Sequence, residues 1–79
     1  MAMEKQTYQT SDIALASYLF CSGTHLSGID RANPRRAIFI FDSPKRELIS
    51  KWQEGKANVN ALAYHNAYQE LKARLFRDG

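Results

Sequence analysis

Cys21, His25 and Asp30 are the residue types of a nucleophile, a base and an orienting carboxylate, close enough in the chain to suggest a Cys-His-Asp relay. The local context opposes that chemistry. Cys21 falls near the C-terminal end of a predicted helix, where the macrodipole disfavours a thiolate; reactive cysteines favour helix N-termini or cationic neighbours. It reads as a packed, inert thiol. Together with His65 these residues offer three kinds of metal ligand, but there is no second cysteine and no paired-ligand spacing, so no metal is expected. Gly23, Gly28, Gly55 and Gly79 are scattered singly, which removes a glycine-rich phosphate loop and any nucleotide cofactor held by one. Glu47 precedes Lys51 by four residues and Glu70 precedes Arg74 by four, the favourable order for solvated helical ion pairs worth about 0.2–0.5 kcal/mol each. Neither is a poised acid or base. With no assembled catalytic constellation and no cofactor, the chain reads as a non-enzymatic protein that acts by binding.

The positional signal lies in the cations. Arg31, Arg35, Arg36, Lys45, Arg46, Lys51 and Lys56 place seven of the eleven Lys and Arg between residues 31 and 56, against Asp42, Glu47 and Glu54. The window carries an excess of four positive charges, more than the +3 of the whole chain. Arg31, Arg35 and Arg36 fall on a predicted hairpin tip, and a basic β-ribbon with arginine forks suits phosphate geometry. A solvated loop is the plain alternative. Lys45 and Arg46 are predicted in the first turn of a helix, where cations cost about 0.3–1 kcal/mol each and an anion would relieve the conflict. Asp42 and Glu47 flank them and can relieve it internally, so this turn ranks below the hairpin tip.

These side chains need a scaffold, and 79 residues supply one domain at most. A chain of this length buries only about 60% of its unfolded surface, which makes a partner or a second copy useful. One cysteine cannot close an intrachain disulfide, and no signal-peptide pattern begins the sequence, so a reducing cytoplasm is expected. The longest apolar run, Ala37 to Phe41, is far short of the roughly twenty residues that cross a bilayer, and no membrane contact is predicted.

Residues 1–6 carry no pattern and read as a flexible segment preceding a single domain over 7–79. Thr7 to Thr10 has the flavour of a short edge strand. Thr10-Ser11-Asp12 offers a capping oxygen and a first-turn carboxylate for a helix over about Ser11 to Ser22, stopped by Gly23. Thr24 to Arg31 reads as a strand bulged at Ser27-Gly28, and Asn33-Pro34 turns the chain back antiparallel. In Ala37 to Asp42, Ile38 and Ile40 point to one face and Phe39 and Phe41 to the other, so both faces should be dry and the phenylalanines belong to the core rather than to a base-stacking platform. Asp42-Ser43-Pro44 predicts the start of a second helix of about three turns, with Leu48, Ile49 and Trp52 inward and Gly55 as its stop. Asn58 is the expected cap of a third helix, with Ala61, Tyr64, Ala67, Tyr68, Leu71 and Leu75 on one side. The order is an α+β domain, (β)αββαα, with an antiparallel hairpin and three helices.

Thr10-Ser11-Asp12, Leu15-Ala16, Leu19, Gly23, Leu26, Gly28, Phe39-Ile40-Phe41, Gly55, Val59 and Leu71-Lys72 together resemble a family of small uncharacterised bacterial and phage proteins catalogued as a domain of unknown function. The resemblance spans nearly the whole chain and rests on capping, packing and turning residues. It implies a cytoplasmic bacterial or phage-derived protein and carries over no catalytic residue.

The expected activity is contact with nucleic acid through Arg31, Arg35 and Arg36, with Lys45 and Arg46 adding charge. The alternative is a protein-interaction module or phage-derived regulator working through an apolar sheet face or edge, its arginines facing an acidic protein. Homodimer and monomer are equally compatible with the sequence, and Trp52, Tyr64 and Tyr68 are the aromatics that an interface could use.

Overall fold

The computed structural model describes residues 6–33 and 35–77, with the side chain of residue 77 left aside. The predicted flexible segment over 1–6 lies outside these residues except for Gln6. That residue is tied in, since its carbonyl accepts a 2.6 Å hydrogen bond from the Ser43 N–H. Pro34, on which the predicted turn rests, and Gly79 also lie outside.

The elements run β1 (Thr7–Thr10), α1 (Ile13–Cys21), β2 (His25–Asn33), β3 (Arg36–Asp42), α2 (Arg46–Gln53) and α3 (Ala61–Arg77). The strands form one antiparallel sheet in the order β1-β3-β2. The described residues therefore form an α+β domain with three helices and a three-stranded sheet, and the N-terminal edge strand is present. β3 is central because it holds the densest run of β-branched and aromatic residues and can be paired on both sides. The predicted bulge occurs between Leu26 and Gly28; a second irregularity lies between Asp30 and Asn33.

Residues paired across antiparallel strands share a face. Tyr8, Leu26 and Phe41 lie on one side with Thr10, Ile29 and Phe39; Gln9, Gly28 and Ile40 lie on the other with Asp30 and Ile38. Phe39 is 1% exposed and Phe41 0%, and the cluster around them takes in Leu15, Tyr18 and Leu19 of α1 and Leu71 of α3. Ile38 and Ile40 are only half-buried and lie outside that cluster. The expectation of two dry faces is thus corrected. In the described core cluster the helices pack with the phenylalanine side, and the isoleucines' cross-strand neighbours include Gln9 and Asp30.

α1 is buried from Leu15 through Leu19, and its one polar residue there, Ser17, donates to the Ile13 carbonyl at 2.7 Å. Asp12 itself is the N-cap, accepting from the Ala14 N–H at 2.9 Å, so the helix starts later than Ser11. At the other end Gly23 takes φ +93°, with the Thr24 N–H on the Leu19 carbonyl and the Gly23 N–H on that of Phe20. These are the two bonds of a Schellman stop.

α2 departs from expectation at its start. Asp42 is consumed by β3, where it pairs with Thr7 and His25, and Ser43 is held at φ +42°, so neither caps the helix. Lys45 occupies the N-cap without a side-chain hydrogen bond, and the helix makes about two turns rather than three. No α2 residue is fully buried. Its attachment runs through Tyr18, whose hydroxyl donates to the Leu48 carbonyl at 2.9 Å and whose ring stacks on Trp52 at 5.3 Å. α3 is capped by Asn60, two residues beyond Asn58: its side-chain oxygen accepts from the Ala63 N–H at 3.0 Å. Val59 and Tyr64, either side of that cap, both pack on the core and set the helix's entry angle as a hydrophobic staple does. Ala61 falls off the inward stripe and is exposed.

Candidate nucleic-acid interface

The β2–β3 ribbon carries its arginines where the second irregularity twists the strands. Asp30 accepts from the Ala32 N–H and Asn33 from the Arg35 N–H, each at 2.9 Å through a side-chain oxygen, and Asn33 pairs with Arg36 across the turn. Arg31 thus belongs to β2 and Arg36 to β3, rather than to an open loop. All three arginines are exposed.

They do not simply project into solvent. Arg31, Arg35 and Arg36, with Asn33 and Ala37 on the ribbon side and Leu75 and Phe76 on the helix side, line a groove of about 310 Å³. The last four carbonyls of an α-helix have no partner within it, and the helix end carries partial negative charge. The Arg31 guanidinium donates to one of them, the Arg74 carbonyl, which fastens the ribbon to the end of α3. Arg74 is itself held, its Nε 2.9 Å from a Glu70 oxygen and its guanidinium over the Phe20 ring. Glu70 with Arg74 is one of the two ion pairs that helical spacing predicts; the described ion pairs do not include Glu47 with Lys51. No carboxylate lies among the described residues that line the groove.

Lys45 and Arg46 lie at the far end of β3. Six residue steps of about 3.3 Å separate the strand's ends by about 20 Å, well over the roughly 8 Å across which exposed charges interact in physiological salt. The structure therefore does not bring Lys45 and Arg46 to the hairpin arginines. Glu47 stands in the same helical turn as Arg46, and Asp42 lies 3.8 Å from His25.

The residues of the hypothetical relay are each engaged elsewhere. Cys21 donates to the Tyr18 carbonyl at 3.3 Å, Asp30 bonds the Ala32 N–H, and His25 faces Asp42. Burial pushes the Cys21 thiol up, with hydrogen bonds to Ser22 and its own backbone acting weakly the other way, so the reactive thiolate is scarce at neutral pH. Among the described residues no three His, Cys, Asp or Glu side chains gather where a metal could sit. Among them, too, no helix is long and apolar enough to cross a membrane.

Residues 5–77 match the family described as a domain of unknown function, DUF5659. The chain belongs to that family. No curated protein and no solved structure matches it. The DUF5659 description assigns no ligand, so the groove has to be read from its own side chains. Of the aromatics singled out in the sequence, Trp52 and Tyr64 pack against the core and Tyr68 is half-buried beneath Lys72. Phe76 is the aromatic that the sequence reading passed over. Its signal was its place one residue beyond Leu75, off the inward stripe, and it is 71% exposed.

Proposed function

We propose that this protein is a non-enzymatic cytoplasmic binding protein that contacts nucleic acid through the groove at its hairpin tip. The observation that carries the reading is the convergence of Arg31, Arg35 and Arg36 on one concave surface with no described carboxylate in its lining. Arg31 acts chiefly as the fastening, while Arg35 and Arg36 present their forks to phosphate oxygens. Phosphate contact of this kind is weak, sequence-tolerant and sensitive to salt. Titration of labelled single-stranded and duplex DNA and RNA is expected to show binding at low salt that weakens steeply as salt rises; no binding at low salt overturns the proposal.

A second reading rests on the other sheet face. Ile38 and Ile40 are partly exposed on the central strand and lie outside the described core cluster, which suits a protein partner or a second copy. The two readings separate on R35A/R36A: loss of nucleic-acid retention with an unchanged solution mass supports the groove, and retention unaffected by the change supports the face.

A further inference from the structure

Phe76 lines the same groove as the three arginines and stays 71% exposed, although Leu75 beside it is half-buried against the core. Tyr64, Ala67, Leu71 and Leu75 fill the inward stripe of α3, and Phe76 is not among the described residues packed against the core. The ring stands in the last turn of the helix, the turn that Arg31 fastens to the ribbon, so the backbone that carries it is held across the groove from Arg35 and Arg36. A bare aromatic face beside guanidinium groups is the pairing by which proteins hold unpaired bases and their phosphates. The groove's volume of about 310 Å³ is at the lower end of small-ligand pockets, about 300–1,000 Å³, which suits an unstacked base. A duplex offers no base face there, because its bases are stacked within it.

We infer that the groove takes single-stranded nucleic acid, one base stacking on Phe76 while Arg35 and Arg36 hold the neighbouring phosphates. This rests on the nucleic-acid reading above and narrows it to a substrate class.

The test uses the full chain with labelled oligo-dT of about ten nucleotides, within the span that single-strand binders cover, an abasic oligomer of the same length, and oligo-dT annealed to oligo-dA. Oligo-dT is expected to bind more tightly than either of the others at low salt. F76A is expected to weaken oligo-dT by about five- to 140-fold, the range of a lost base-aromatic stack, and to leave the abasic oligomer unchanged; F76W restores oligo-dT binding. Circular dichroism melting confirms that the variants fold. If F76A affects oligo-dT and the abasic oligomer equally, or neither, stacking is refuted while the phosphate reading survives through its dependence on Arg35 and Arg36. If no oligomer binds the wild-type chain, both proposals fall. If polyglutamate binds the wild-type chain more tightly than oligo-dT at matched charge concentration, the groove belongs to an acidic protein and this inference is overturned.

Discussion

At one end of β3, Arg36 stands with Arg31 and Arg35 around a concavity closed by the last turn of α3. At the other end Lys45 and Arg46 follow Asp42 into the start of α2, with Glu47 in the same turn and no described side-chain bond at the cap. The sequence counts both groups in a single basic window. In space, strand length separates them by about 20 Å. The groove lining has no described carboxylate, although Asp30 bonds the ribbon backbone beside Arg31, whereas Glu47 shares the first turn of α2 with Arg46. A count of charges along a chain measures attraction to polyanions in general; what makes a surface is the element folded against those charges, here the end of a helix.

The comparison breaks most completely if β3 itself is hollowed. Phe41→Ala removes a fully buried ring from the strand joining the two ends and is expected to cost about 3–5 kcal/mol, a large share of the roughly 5–15 that a domain has. Urea denaturation should show both ends lost in one transition.

A sharper test compares R35A/R36A with K45A/R46A by salt-dependent binding of a single-stranded oligomer. Each phosphate contact removed should lower the slope of log affinity against log salt by about 0.7, so the first variant is expected to lose about 1.4 and the second nothing. Equal losses would merge the two ends into one surface. Arg31→Ala, which frees the ribbon from α3, is expected to cost about 0.5–1.5 kcal/mol in urea denaturation and to weaken oligomer binding although Arg35 and Arg36 remain.

The smallest effect lies at the lysine end. Burial holds the Tyr18 hydroxyl above the usual range for tyrosine, with the nearby Cys21 and Glu47 adding to it. The folded chain therefore keeps a proton that the unfolded chain releases near pH 10, so Tyr18 contributes stability that is full below about pH 10 and is lost as pH rises through the folded value. Thermal melts should fall on the alkaline side, and Tyr18→Phe should flatten that fall without abolishing it, because Tyr64 is raised by burial too.

What was legible in the sequence had a local cause. Gly23 and Gly55 announce helix stops because their positive φ belongs to the motif itself, and the same two-bond pattern closes α1 and α2. The bulge at Ser27-Gly28 follows from broken alternation, and β1 from its composition. Tertiary pairing overrode local signals elsewhere. Asp42-Ser43-Pro44 has the makings of a helix cap, but the sheet takes Asp42 as the last rung of β3 and the Gln6 carbonyl takes the Ser43 N–H. Asn58 and Asn60 are equal candidates by residue type, and the packing of Val59 on the core decides for Asn60. The hairpin arginines were legible as charge, whereas their groove was not, because its other wall comes from residues some forty positions away in the chain.

Arg31 settles one further matter. With its guanidinium already committed to the end of α3 in the free protein, the ribbon and the helix meet any entering molecule as one stiff jaw. Docking would freeze little more than the side chains of Arg35 and Arg36, at about 0.5–1.5 kcal/mol apiece. On the proposed reading a cleft on so small a body would hold on with few contacts, and a chain lacking that one clasp would forfeit grip before it forfeited its shape.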